Sequence, residues 1–460
     1  MEDKKKFIIN NLFVFSNRIF SKIITLLIFL FIARNYSVAQ FGELILIITL
    51  TNIFSFVLDF GSSTLLVREI AVDNKKQPKL LINILVIKIV LVSLVIALFF
   101  VFLKFLGEKL DFHVFFIFSM GIFFESALMS LIKGFEGLER MKVSSLLMML
   151  ERIFIVIVLI FLSHENLLFR YAVSYFFSNF LTFTIAGVVL FLNKGFKSSK
   201  IAYDEIKYIL NNSLIFFLFG VLSILYVRSD TFFLQKISGS EQLGLYRANL
   251  QLIESIYFIP MSLGISILPM FSRFFNDSLE KFKSFFKLIF SSLFLLGVLI
   301  AIFVLFNSEE IIKILYGNKY LSGSIILQFL SINIPIYFIN SLIGNTLIAI
   351  KKEKIQFFSM LVGTIVKLIL LYILTIYFGV IGTCISVIIG EVVILIIQSS
   401  GIKNLSIIGF RENRIYAAAL IIIFAIHLFF QLHIIFSLIF TSITLIFLSR
   451  ELIREYRLLS

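Results

Sequence analysis

Eight charged side chains interrupt stretches that are otherwise apolar: Arg18, Lys22, Arg228, Asp230, Arg247, Glu254, Lys367 and Glu391. At bilayer depth each costs about 3 kcal/mol or more, so each requires a partner, water or a ligand. Arg18 and Lys22 share one helical face with Asn11 and Thr25. Arg247, Gln251 and Glu254 share another, whereas Arg228 and Asp230 are two apart and cannot pair on one helix. Arg18, Lys22, Arg228 and Arg247 together form a cationic set suited to a ligand with concentrated negative charge. Guanidinium and ammonium donors match a pyrophosphate better than the neutral hydroxyls of a glycan. Asp230, Glu254, Lys367 and Glu391 are candidates for coupling or gating.

Other roles for these groups stay open. If its helix starts near residue 8, Arg18 lies ~15 Å and Lys22 ~21 Å along it; a later start would let both reach the inner interface. An Asp230–Arg247 pair between neighbouring helices would still leave Arg228 needing water or an anion. Lys367 with Glu391, and Glu125 with Arg152 beside Glu151, have the spacing of structural pairs between consecutive helices. Lys88 and Arg170 stand near helix ends and are expected to snorkel.

No catalytic constellation accompanies these charges. His113, His164, His427 and His433 are scattered, without a carboxylate or cysteine at ligand spacing. No Gly-Lys-Ser/Thr phosphate loop occurs, so neither an enzyme, a metal nor a cofactor is expected. Cys384 is the single cysteine, which excludes an internal disulfide.

Composition identifies the elements that carry the charges. The chain has 460 residues, 60% of them hydrophobic and only 15% charged, too few to cover a water-soluble surface. Its apolar blocks reach the roughly 20 residues a membrane helix needs. The class is therefore an all-α integral membrane protein of about fourteen helices, with expected spans 8–33, 40–60, 82–106, 112–133, 143–163, 167–192, 209–236, 243–271, 285–306, 323–350, 355–378, 379–400, 413–432 and 433–450. The opening MEDKKKFIINN resembles a signal-peptide start, but polar residues interrupt its apolar run and no small-residue cleavage site follows. It is read as a retained first helix.

With the N-terminus inside, the inner segments hold 27 of the 41 Lys and Arg, the outer loops 6 and the spans 8. That asymmetry places both ends in the cytoplasm. The net charge of +14 is thus gathered at helix ends rather than on one continuous face, which argues against nucleic acid.

The first twelve helices divide into an N-terminal six-helix bundle (1–192), a cytoplasmic linker (193–208) and a second six-helix bundle (209–400), with an extra pair and tail at 401–460. Phe41-Gly42 and Leu243-Gly244 open the second helix of each set, and short basic turns, 136–142 and 350–354, follow the fourth. Six is even, so the sets enter the membrane in the same direction as parallel repeats, with substrate expected between them near the midplane.

These features resemble the polysaccharide repeat-unit (O-antigen type) flippases of the multidrug/oligosaccharidyl-lipid/polysaccharide exporter superfamily. The residues that carry the resemblance run from Ala33-Arg34 to Phe41-Gly42, through Asp59-Phe-Gly61 and Arg68-Glu-Ile-Ala71. In the second half they are Arg228-Ser-Asp230-Thr, Leu243-Gly-Leu-Tyr246, Pro269-Met-Phe-Ser272, Tyr316-Gly-Asn-Lys-Tyr320 and Gly379-Val-Ile-Gly382 through Glu391. The resemblance implies two six-helix lobes, a cationic cavity and alternating access. It further implies flipping of a polyprenyl-pyrophosphate-linked oligosaccharide to the outer leaflet of a prokaryotic plasma membrane. A polysaccharide polymerase and glycosyltransferases would be its partners beside the bilayer. Two alternatives remain: a cation-coupled multidrug antiporter of the same superfamily, and a non-transporting scaffold for glycan assembly. The superfamily's drug-efflux members usually have twelve helices and acidic sites; the extra pair and basic bias argue against that branch.

Overall fold

The computed structural model describes residues 20–108, 110–162, 165–192 and 201–403, and all regular structure among them is helical. Arg18, the first half of the linker 193–208 and the expected pair 413–432 and 433–450 lie outside the described residues. The helices are α1 (20–35), α2 (Val38–Asp59), α3 (Ser62–Val72), α4 (Gln77–Leu106), α5 (Phe112–Gly137), α6 (Met141–Phe161) and α7 (Leu167–Phe191). They continue with α8 (Tyr203–Ile256), α9 (Phe258–Asp277), α10 (Leu279–Phe306), α11 (Ser308–Leu315), α12 (Ser324–Ala349) and α13 (Glu353–Ile402).

Local chemistry sets many of the ends. Asp111 and Asn166 accept from the backbone N–H two residues on, at 2.8 and 3.0 Å, and so start α5 and α7. Pro78 stands in the first turn of α4, and Gly107 in the left-handed conformation ends that helix. A straight 50-residue helix like α13 would run ~75 Å, more than twice the ~30 Å hydrocarbon thickness. Gly379, at φ 56 and ψ −134, breaks it where the sequence places a turn, and Gly239, at φ 81 and ψ 178, breaks α8 likewise. Each long run is therefore two helices joined at a glycine. Ile89, Val90, Leu98, Val101 and Phe105 of α4 are exposed, as suits a helix that meets lipid.

The chain forms two compact units. Unit 1 comprises residues 1–36 and 43–232; α5 packs on α7, α3 and α4, and α6 on α7. Its apolar core joins Leu65, Leu66 and Ile70 of α3 to Leu80, Leu81 and Ile84 of α4 and Leu128, Leu131 and Phe135 of α5. Unit 2 comprises residues 37–42 and 233–460; α12 packs on α13, α10 and α9.

Two elements were not expected from sequence. The amphipathic α3 follows α2 directly, and α11 continues into a 3-10 turn, Asn318–Gly323. Tyr316 and Tyr320 of that segment are buried, and the Tyr316 hydroxyl donates to the Ala248 carbonyl at 2.8 Å. The Tyr316–Tyr320 motif thus packs the unit rather than exposing a site.

Within unit 2 the first turn of α2 crosses the start of the second half of α8. A Cβ at Gly42 would fall 1.9 Å from the Ser240 carbonyl oxygen, and one at Gly244 would fall 2.1 Å from that of Val38. Positions 38 and 42 precede 240 and 244 by the same interval. The glycines aligned as repeat equivalents therefore meet each other, with reciprocal contacts.

Candidate functional site

The charged positions singled out from sequence divide between the units. Lys22 in α1 is exposed, while Arg228 is half-buried and Asp230 buried in the unit 1 part of α8. Asp230 accepts from the Thr231 backbone N–H at 2.7 Å. Arg247, Glu254, Lys367 and Glu391 belong to unit 2.

In unit 1 the deepest ion pair joins Lys88 of α4 to Asp59 at the end of α2, at 2.7 Å. The Lys88 ammonium also donates to the Ser126 carbonyl at 2.5 Å and the Ser130 hydroxyl at 2.6 Å, which uses all three of its protons. Asp59 in turn accepts from the Ser63 hydroxyl at 2.6 Å and backbone N–H at 3.2 Å, fixing the start of α3. The chain turns there through Phe60 and Gly61, both at positive φ. A Cβ at Gly61 would stand 2.7 Å from the Phe217 backbone nitrogen, so only glycine allows α8 to pass this close. The Asp59-Phe-Gly61 motif is therefore a junction of α2, α3, α4, α5 and α8.

This overturns the expectation that Lys88 and Arg170 snorkel. Neither reaches solvent: their exposures are 0% and 3%. α4 begins five residues before the expected span, which puts Lys88 deeper, and the helix is apolar on every side, so sequence does not mark its inward face. Arg170 donates to the Leu159 carbonyl and to the Tyr36 hydroxyl, and lies over the Phe31 ring. It ties α7 to α6 and α1.

Further along α5, Glu125 accepts from the Tyr175 hydroxyl of α7 at 2.5 Å and from Ser55 of α2. Its expected direct pairing with Arg152 does not form. The acid in contact with Arg152 is its own neighbour Glu151, at 3.7 Å. Tyr175 takes the place because Gly121 lacks a side chain: a Cβ there would lie 2.4 Å from the tyrosine ring.

In unit 2, Arg247 and Glu254 share a face of α8 as their spacing requires, and stand 3.7 Å apart. Arg247 is 5% exposed, and its Nε and Nη1 have no hydrogen-bond acceptor among the described residues. The turn at Gly379 sets Lys367 against Gly390, the neighbour of Glu391; both charged residues are buried. Asn340 of α12 donates to the Glu391 carboxylate at 2.6 Å and to its carbonyl at 2.9 Å. Tyr257 and Tyr337 stack with ring centroids 3.8 Å apart, and Asn333 donates to the Tyr257 hydroxyl at 2.9 Å. Glu254 and Glu391 are within electrostatic reach of both rings.

Tyr175, Asn333, Asn340, Tyr257 and Tyr337 were not singled out from sequence. A lone Tyr or Asn in an apolar helix gives little signal, and only its neighbour across the packing shows what it serves.

Comparison with known proteins places this architecture. Residues 8–275 match the family "Polysaccharide biosynthesis protein", and residues 216–373 match MatE. No curated protein matches the chain. Among solved structures, the fold is similar to "Lipid II flippase MurJ, inward closed conformation", at 16% identity and TM-score 0.76, over 96% of this chain and 99% of that one. It is similar to a multidrug resistance MATE family transporter in an inward-facing conformation, at 14% identity and TM-score 0.69, over 84% and 94%. A transporter of the same superfamily from Pyrococcus furiosus aligns at 14% identity and TM-score 0.60, over 86% and 95%. With the family match covering more than half of its length, this multi-pass membrane chain belongs to the polysaccharide biosynthesis protein family, within the multidrug/oligosaccharidyl-lipid/polysaccharide exporter superfamily.

Proposed function

We propose that the chain moves a polyprenyl-pyrophosphate-linked oligosaccharide from the cytoplasmic to the outer leaflet by alternating access, with both termini in the cytoplasm. The observation that supports this reading best is Arg247, a buried guanidinium in an apolar helix with two donors unused among the described residues. Such donors fit the oxygens of a pyrophosphate. Arg18, Lys22 and Arg228 add to the positive bias. The chain acts as a carrier and not as an enzyme; its helices supply binding and reorientation, and the bond between lipid and glycan stays intact.

The test is surface glycan in cells that depend on this chain. Arg18→Ala, Arg228→Ala and Arg247→Gln each lower surface glycan severalfold while the protein still inserts at normal levels. Unchanged glycan in all three variants would overturn the cationic-site assignment.

A second reading, a cation-coupled multidrug antiporter, has support from the MatE match over 216–373 and from two carboxylates, half-buried Glu254 and buried Glu391. It requires that Glu254→Gln abolish drug resistance and leave surface glycan intact. The flippase reading requires no drug phenotype from that substitution.

A further inference from the structure

The interior of unit 1 holds Asp59, Glu125 and Glu151 against Lys88 and Arg152. Asp59 has Lys88 at 2.7 Å, and Glu151 has Arg152 at 3.7 Å. Glu125 has hydroxyls, those of Tyr175 at 2.5 Å and of Ser55, and no cation in direct contact among the described residues. It also stands midway along the 26-residue α5, where an ionised carboxylate in hydrocarbon costs most. Glu125 therefore lacks a contacting cation, among the described residues, at the depth where charge is least tolerated.

Among the described residues, the groups facing Glu125 are Ser55 from α2, Glu151 and Arg152 from α6, and Tyr171 and Tyr175 from α7. Lys88 of α4 is committed to Asp59, Ser126 and Ser130. Glu69 of α3 binds both Arg68 and Lys76 at the surface. None of these neutralises the carboxylate by contact.

A second observation lies beside the first. Ser126 Oγ, Asn179 Oδ1 and Thr182 Oγ1 are buried without a hydrogen-bond partner among the described residues. Ser126 adjoins Glu125 in sequence. Asn179 and Thr182 follow Tyr175 at helical spacing on α7, so the row runs ~10 Å from Tyr175 toward the basic end of that helix. Orphaned hydroxyls and an amide oxygen on the packed helices α5 and α7 are what buried water requires, since each water needs two to four polar partners.

We propose that Glu125 is a proton-binding site inside unit 1, served by water along Ser126, Asn179 and Thr182. A hydronium delivered along this row loses its proton to the carboxylate. One O–H bond forms on Glu125, one breaks in the hydronium, and water remains. Tyr175 donates to the ionised form, and its hydroxyl accepts from the neutral carboxyl. Uptake neutralises the carboxylate, so it alters how firmly α5 holds α7. The purpose of the site, a protonation step within the transport cycle, rests on the transport reading above; its chemistry does not.

The test uses the full-length protein in detergent, without glycan. A pH jump is followed by a soluble pH dye for protons taken up and by infrared difference spectra for the protonated carboxyl band. The wild type shows a carboxyl band that Glu125→Gln removes, with one fewer proton taken up per chain. Tyr175→Phe withdraws the donor to the ionised form and moves the half-uptake point to higher pH by about one unit. Helical circular dichroism and the detergent melting temperature verify folding of each variant. If Glu125→Gln does not fold, Tyr175→Phe and Glu125→Asp decide the matter by shifting the band's pH dependence. Retention of band and stoichiometry in Glu125→Gln, or an unmoved half-point in both milder variants, overturns the proposal. Because glycan is absent, such a failure leaves the substrate reading standing. Intact proton uptake with no glycan flipping would strike the substrate reading alone.

Discussion

Unit 1 and unit 2 each join two helices through a carboxylate held between them, and they do so differently. In unit 1 the fourth helix of the repeat, α5, carries the acid, and the sixth, α7, supplies a tyrosine hydroxyl. In unit 2 the sixth, the second half of α13, carries the acid, and the fourth, α12, supplies an asparagine amide. Unit 1 adds the Lys88–Asp59 pair, which closes the turn between α2 and α3. Unit 2 instead stacks Tyr257 on Tyr337 beside its acids. The two units thus share which helices carry a polar tie and differ in the residues that make it. In hydrocarbon the requirement is only that each buried polar group find a partner, not which one.

Unit 1 should be the more fragile to loss of a single charge. Lys88→Met leaves Asp59 buried without its cation and costs about 3–5 kcal/mol, seen as a large drop in the detergent melting temperature. The double variant Lys88→Met with Asp59→Leu recovers much of it. An equal loss in both would mean that the pair contributes little beyond its volume.

Gly61→Ala sharpens the contrast between the turns. Its Cβ meets backbone at 2.7 Å, whereas nothing lies within 4 Å of a Cβ at Gly379. Both substitutions carry the strain of a positive φ, about 1–3 kcal/mol, but only Gly61→Ala adds displacement of α8. Melting temperatures should fall further for Gly61→Ala than for Gly379→Ala; the reverse order would break the junction assigned to the Asp59-Phe-Gly61 motif.

Loss of one polar tie is a smaller effect. Tyr175→Phe and Asn340→Leu each cost about 1–2 kcal/mol. Cys384, buried in the second half of α13, separates them: its thiol becomes reactive sooner in Asn340→Leu and stays protected in Tyr175→Phe. Equal reactivity would show that the units open together.

The smallest effect belongs to the surface of unit 1. Burial alone would raise the Glu69 carboxyl, but hydrogen bonds from Lys76, Arg68 and Tyr208 outweigh it and hold the group below its ordinary value of 4.5. A lowered folded value means that the unfolded chain binds the proton more readily. The stabilisation is thus present above pH 4.5 and is lost as pH falls below it. Hydrogen exchange in α3 should quicken on acidification in the wild type, and Glu69→Gln should flatten that response.

The sequence by itself determined the all-helical membrane class and the breaking glycine of the last described helix, because hydropathy and glycine position are local properties. Gly379 and the Gly42–Gly244 correspondence were legible for that reason. Tertiary structure decided what the buried groups do. Lys88 reads as a snorkelling lysine until Asp59 is placed 29 residues away at 2.7 Å. Glu125 reads as the partner of Arg152 until Gly121 lets Tyr175 in. A helix apolar all round does not mark which face turns inward. Whether a charge meets water, lipid or a partner depends on the neighbouring helices, which only packing brings together.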